Sequence, residues 1–139
     1  DCYRPEKAVT HFMRWAKNLT DTKTKAEYYP NIAKSTLVGP YIAEKSGHSK
    51  GYTLDLTLQK KLNNGEWQDL DMGTHFDLFD VLSNTDNKHV LLQQRNNRDR
   101  LRDIMQAHGF SNYPMEWWHF THTKTPKSQR QSSYDFDVK

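Results

Sequence analysis

Two short segments of this sequence carry the residue types of a catalytic metal site. The first runs from Ser46 to Asp55 and places His48 in a loop containing glycine and serine, with Asp55 on the strand that follows. The second reads Glu-Trp-Trp-His from Glu116 to His119. Catalytic zinc takes three protein ligands of the histidine and carboxylate kind and keeps a fourth position for the water that attacks a carbonyl. The two segments together predict His48, Asp55 and His119 as zinc ligands and Glu116 as the general base.

The spacing within these segments restricts the backbone that carries them. Seven residues of regular strand would place His48 and Asp55 on opposite faces, so we expect the loop with Gly51 to turn before the strand begins. In the second segment the aromatic residues favour a strand, on which Glu116 and His119 would be split. We therefore predict that Glu116 lies in irregular backbone just before that strand and does not bind the metal. Either histidine taken alone would more often be a structural residue, so the hypothesis depends on both segments.

The remaining sequence supplies the elements that must position this site. Hydrophobic periodicity, prolines, glycines and turn residues predict helices, strands and a long irregular connection. The predicted elements are a helix over 5–19, a loop over 20–40, a hairpin of strands 52–58 and 66–70, a helix over about 90–108, and strands 117–121 and 134–138. We therefore expect an α+β fold in which a small, mostly antiparallel sheet carries the zinc site and helices near 5–19 and 89–108 back it.

Length and composition limit the alternatives. The 139 residues suit one catalytic domain over 1–139, and 12% aromatic residues indicate a folded chain. A net charge of +3 is too small for a dedicated nucleic-acid binder. No apolar run is long enough to span a membrane, and the single cysteine, Cys2, excludes a disulfide within this chain. Neither nucleic acid nor membrane is predicted as a partner.

The pattern Ser-x-His-x-x-Gly-x-x-x-Asp, followed by Glu-Trp-Trp-His, resembles the VanX-like D-alanyl-D-alanine dipeptidases. The resemblance extends in order through Tyr3-Arg4-Pro5, residues 28–31, residues 71–77 and residues 134–136. It implies one catalytic zinc ion, a D-Ala-D-Ala substrate and a role for Arg4 in stabilising the oxyanion of the transition state. By position in family-like segments, Asp77 is expected to bind the substrate ammonium and Ser46 to make a polar contact. A turn cap is the alternative for Asp77.

The chain departs from the family in two ways. Thr53 stands where alanine is common and Gly47 where a second serine is common, so the pocket wall near the metal is expected to differ. Family members also carry several dozen residues ahead of the Tyr-Arg-Pro segment. We therefore expect the printed chain to lack an N-terminal segment, which could be a separate chain. The resemblance fits a cytoplasmic or a periplasmic protein, and a role either in vancomycin resistance or in the recovery of D-alanine from the cell wall.

Three other functions compete with the dipeptidase hypothesis. A D,D-carboxypeptidase or peptidoglycan endopeptidase with the same metal site would need an open groove. A zinc-stabilised binding module would lack a working base, and a weak nucleic-acid binder would show a steep salt dependence. Two further features have structural interpretations: strand spacing points His122 away from the site, and the arginines between Arg95 and Arg102 are interpreted as a solvated helix face.

Overall fold

The computed structural model describes residues 1–137 and has a mixed α and β architecture. The helices described are α1 (Glu6–Lys17), α2 (Lys25–Tyr28) and α3 (Leu92–Ala107). The strands are β1 (Thr53–Asp55), β2 (Gln59–Lys61), β3 (Trp67–Asp69), β4 (Phe110–Asn112) and β5 (His119–His122). β1, β5 and β4 form one antiparallel sheet in that order, and β2 pairs with β3 in a separate hairpin. The predicted α+β class is confirmed.

Helix α1 is amphipathic and packs on one of the two hydrophobic cores. Val9, Met13 and Ala16 are buried at spacings of four and three residues, which places them on one face of the helix. Met13 and Ala16 contact a cluster that includes Tyr29 and Phe79. Pro5 precedes the helix, as its fixed φ angle favours. The prediction of a helix over 5–19 is confirmed within two residues.

Helix α3 supports the sheet that carries the site. Leu101 and Met105 are buried in the second core together with Trp117, Trp118 and Phe120 from the β5 segment. The helix ends at Ala107, and Gly109 follows with φ +85°, a left-handed conformation that glycine adopts readily. The predicted helix and its glycine stop are therefore confirmed. None of the helices described is long and apolar enough to cross a membrane.

The interpretation of the arginine-rich stretch of α3 as a solvated helix face is wrong at Arg98. Arg98 is fully buried, and its guanidinium donates hydrogen bonds to the carbonyl oxygens of Met72, Leu82 and Asn84 at 2.7 to 3.0 Å. Burial lowers the pKa of Arg98 to about 10, although Asp71 opposes the shift. The polar sequence gave no sign of this burial, because the partners of Arg98 are backbone carbonyls distant along the chain.

Two strand predictions were wrong. The predicted 52–58 strand pairs with the segment 66–70 only at its last residue, where the N–H of Leu70 donates to the carbonyl oxygen of Leu58 at 2.8 Å. β1 pairs with β5 instead, and the hairpin partner of β3 is β2. All three residues of β2 are exposed, so β2 has no alternation of buried and exposed side chains to reveal it. Residues 134–137 form no strand; they lie against α1 in an irregular conformation, and Val138, the end of that predicted strand, lies outside the described residues.

Candidate metal centre

Two adjacent strands place two of the three predicted ligands side by side. Asp55 is the last residue of β1 and His119 the first of β5, and they are direct partners in the antiparallel register. Oδ1 of Asp55 lies 3.0 Å from Nδ1 of His119. His48 comes from a 3-10 turn before β1, with its Nε2 at 3.3 Å from Oδ2 of Asp55 and 3.4 Å from Nδ1 of His119. We call these three side chains the ligand triangle.

The loop before β1 turns in the way that convergence requires. His48–Lys50 form a single 3-10 turn, and Gly51 ends it with φ +74°. This left-handed residue redirects the chain between His48 and Asp55, as the sequence analysis predicted. The N–H of His48 donates to Oγ of Ser46 at 3.2 Å, which helps to hold the turn. His48 and Asp55 are both buried as a result.

The ligand triangle fits a tetrahedral metal. Zinc bonds of 2.0–2.1 Å at tetrahedral angles separate neighbouring ligand atoms by about 3.3 Å. The two imidazole nitrogens are 3.4 Å apart, which agrees with that value. Oδ1 of Asp55 lies 3.0 Å from His119 and Oδ2 lies 3.3 Å from His48, and one ligand atom from each residue lies within 4.8 Å of the other two. Two imidazoles and one carboxylate are also the donor set of an open catalytic site, so these residues form a candidate metal site. A metal-bound histidine usually donates the N–H of its second ring nitrogen to an acceptor in the protein. Nδ1 of His48 has no such hydrogen-bond partner among residues 1–137.

Glu116 lies beside the ligand triangle without belonging to it. It occupies the turn between Pro114 and β5, and its Oε2 is 3.6 Å from Nδ1 of His119. Its carbonyl oxygen accepts hydrogen bonds from the N–H of His119 and from the side chain of Asn112. These bonds fix the turn, and the predicted irregular entry to the strand is what the structure contains.

Electrostatics separate the two buried carboxylates of the site. Burial raises the pKa of Glu116 to about 8, and the charges of Asp55 and Asp77 add to this shift while Arg4 opposes it. Burial also disfavours ionised Asp55, but hydrogen bonds from His119 and His48 outweigh burial and hold its pKa well below the usual range. Asp55 is therefore suited to bind a cation, and Glu116 to take up and release a proton.

Arg4 lies at the rim of a cavity that the ligand triangle and Glu116 also line. It precedes α1, and its Nη2 is 2.8 Å from Oδ2 of Asp1 and 3.8 Å from Oδ2 of Asp55. About 27% of its side chain is exposed, so the guanidinium can reach a molecule in the cavity. Arg4 thus lies close to the ligand triangle, as the role that the family resemblance implies for it would require.

Asp77 and Ser46 line the same cavity, whose volume is about 120 Å³. Asp77 has φ +59°, the only left-handed conformation at a non-glycine residue in the described part of the chain. Partial removal of its carboxyl group from water raises the pKa of Asp77, and the charge of Asp55 adds to the shift while Arg4 opposes it. The residue as a whole is nevertheless exposed. Ser46 is buried and already bonded to the His48 loop through its Oγ.

Two residues that line the cavity were not predicted from the sequence. The prediction that His122 points away from the site is confirmed. Tyr41 and Phe79 line the cavity, but neither belongs to a spacing pattern that would have revealed it. His122 contacts Phe110 and bonds to Thr125, away from the ligand triangle. The strand geometry of β5 explains this, because residues three apart point to opposite faces.

Comparison with known proteins agrees with this site. A family model described as D-ala-D-ala dipeptidase matches residues 1–138. A D-alanyl-D-alanine dipeptidase of Streptomyces coelicolor is 42% identical over 139 residues, covering 99% of this chain and 66% of that protein. The protein of the same name from Enterococcus faecium is 41% identical over 140 residues, covering 100% of this chain and 67% of that one. A third, from Enterococcus faecalis, is 44% identical over 121 residues, covering 86% and 58%.

The chain thus spans about two thirds or less of the length of these curated relatives. The family match nevertheless includes every residue of the ligand triangle, together with Glu116 and Arg4. Because the match runs over almost the whole chain and the relatives are more than 40% identical, the chain belongs to the D-alanyl-D-alanine dipeptidase family of metallopeptidases.

Proposed function

We propose that this protein is a zinc peptidase that hydrolyses the dipeptide D-alanyl-D-alanine, and that residues 1–139 act as one catalytic domain. His48, Asp55 and His119 are the proposed ligands of a single zinc ion. Two nitrogen donors and one carboxylate suit zinc, and the separations within the ligand triangle support this choice. The names of the relatives support the substrate.

The proposed mechanism assigns a separate task to each residue around the zinc site. When bound, zinc supplies the Lewis acidity that activates water and polarises a carbonyl. Glu116 accepts the proton of the attacking water and delivers it to the leaving amine. Arg4 donates hydrogen bonds to the oxyanion that develops on the scissile carbonyl. Asp77 binds the substrate ammonium, and Ser46 makes a polar contact at the cavity wall.

The position of Glu116 is the observation that carries this proposal. The buried carboxyl of Glu116 lies 3.6 Å from a predicted zinc ligand but outside the ligand triangle. A zinc-stabilised binding module needs only the ligands, so a further buried carboxyl beside them would have no task there. A general base needs this arrangement, because it must be near the water without occupying the metal.

A D,D-carboxypeptidase or peptidoglycan endopeptidase is the second candidate, and one feature favours it. A wider groove of about 550 Å³ adjoins the cavity and shares Arg4, Phe12, Asp77 and Phe79 with it. A longer peptide could extend along this groove. The small cavity at the ligand triangle favours the dipeptide instead, since D-Ala-D-Ala has no further residues to place.

The deciding experiment measures the metal content of the purified protein and then compares its rates of cleavage of different peptides. We expect about one zinc per chain and faster cleavage of D-Ala-D-Ala than of a tripeptide or pentapeptide ending in the same two residues. The matched control is L-Ala-L-Ala, which should be a poor substrate. Preferred cleavage of the longer peptides would establish the second candidate. Protein that holds zinc and cleaves none of these substrates would support a binding module.

A further inference from the structure

Residues 134–137 run across the segment that carries Arg4, and we call them the strap. The N–H of Glu6 donates to the carbonyl oxygen of Tyr134 at 3.3 Å, and the N–H of Lys7 donates to Oδ1 of Asp135 at 2.9 Å. The first N–H groups of an α-helix have no partner within the helix. Since Pro5 at the N-cap position offers no side-chain acceptor, the strap supplies acceptors from elsewhere in the chain.

The strap also holds the residue before Arg4. The rings of Tyr3 and Phe136 are stacked with centroids 4.2 Å apart. The hydroxyl of Tyr3 donates to the carbonyl oxygen of Phe136 and accepts from its N–H, at 3.2 and 2.9 Å. Contacts of the strap therefore lie on both sides of Arg4 along the chain.

Ser49 joins the strap and the Arg4 segment to the metal-ligand loop. Its Oγ donates to the carbonyl oxygen of Arg4 at 2.7 Å, and its carbonyl oxygen accepts the N–H of Tyr134 at 2.8 Å. Ser49 is 1% exposed and directly follows His48. One buried residue thus bonds to the backbone of Arg4 on one side and to the strap on the other.

We propose that Ser49 and the strap are a positioning device that fixes Arg4 relative to the ligand triangle. The inference rests on the proposed role of Arg4 in stabilising the oxyanion. A donor acts on an oxyanion only when it is held in place, and a displacement of 1 Å can remove most of its effect. The guanidinium of Arg4 is bonded to Oδ2 of Asp1 through Nε and Nη2 at 3.0 and 2.8 Å, but the backbone of Arg4 lies outside any helix or strand. Ser49 and the strap supply the contacts that hold this backbone.

The test is a double-mutant cycle measured with D-Ala-D-Ala on the full, zinc-loaded chain. Ser49→Ala should lower kcat about 5- to 10-fold with less than about a twofold change in KM, as loss of one hydrogen bond implies. Zinc affinity, measured by chelator competition, should not change. In an Arg4→Ala background, Ser49→Ala should cause no further loss, because its effect passes through Arg4. Phe136→Ala should behave in the same way, and Ser132→Ala, an exposed neighbour of the strap, is the control.

Each other outcome contradicts a distinct statement. Additive losses of Ser49→Ala and Arg4→Ala would overturn the positioning role, and release of zinc by Ser49→Ala would show that Ser49 acts through His48. Amide hydrogen exchange tests the contacts of the strap independently of enzyme activity. The amides of Glu6 and Lys7 should be protected from exchange, and Asp135→Ala should speed exchange at Lys7. Unprotected amides would overturn the strap. Full activity of Arg4→Ala would refute the proposed role of Arg4 and the positioning role with it.

Discussion

The ligand triangle and the rim of the cavity are held in different ways. Asp55 and His119 are direct partners across two antiparallel strands, so backbone hydrogen bonds set their separation. Arg4 and Asp77 lie outside helices and strands, and both reach the cavity from partly exposed positions. We therefore expect metal binding to depend on the sheet and on the turn that carries His48, and the proposed contacts of Arg4 and Asp77 with the substrate to depend on loops. Substitutions can therefore separate metal binding from catalysis.

The largest effect is expected where the two regions meet, at Glu116. Glu116→Ala should lower kcat by about 10²–10⁴-fold while zinc stays bound, because a general base transfers protons without coordinating the metal. His119→Ala should release zinc and abolish activity together, since two protein ligands hold zinc poorly. Metal analysis beside kinetics on both variants measures this. Loss of zinc from Glu116→Ala would make the carboxylate a ligand and contradict the assigned roles.

A smaller effect, confined to the rim, is expected at Arg4. Arg4→Ala should lower kcat by about 10²–10³-fold and change KM little, because a donor to the developing oxyanion acts in the transition state. Zinc content should equal that of the unaltered protein. Steady-state kinetics with metal analysis makes the measurement. A weaker zinc affinity would mean that Arg4 supports Asp55, from which its Nη2 is 3.8 Å away.

A substitution in the packing behind the ligand triangle should mainly lower the stability of the fold. A Cβ added at Gly47 would lie 2.2 Å from Oγ1 and 3.0 Å from Cβ of Thr53, which is 1% exposed and contacts Thr121 on β5. Gly47→Ala should therefore lower the free energy of unfolding by about 1–3 kcal/mol. Thermal unfolding measures the change. Adding Thr53→Ala removes the closest contact and should restore part of the loss; simple additivity would show that the two positions are not coupled.

The smallest effect is expected at His122, which shares β5 with His119 but faces away from the site. His122→Ala loses the bond to Thr125 and should cost about 1 kcal/mol or less of stability. Zinc content and kcat should stay unchanged. Chelator competition and steady-state kinetics together check this. A variant without zinc would show that the outer face of β5 also controls the metal site.

More of the candidate site than of the surrounding fold could be predicted from the sequence. His48, Asp55, Glu116 and His119 are identifiable because metal chemistry requires particular residue types, and Gly51 marks the turn between the first two. Helices α1 and α3 follow from local periodicity. Strand pairing was wrong because β1 pairs with a segment more than 60 residues away, and the alternation within 52–58 does not identify its partner. Arg98 was misread for the same reason, since distant carbonyls determine its burial.

Residue types alone indicate which side chains could hold a metal and which could transfer a proton, because these properties belong to the chemistry of each side chain. Folding of the whole chain places Asp55 opposite His119, keeps Glu116 outside the ligand triangle and brings Ser49 to the backbone of Arg4. Each of these contacts except that of Glu116 joins segments more than 40 residues apart along the chain. Such contacts form only when two hydrophobic cores pack the segments together, and no local pattern of residues specifies them.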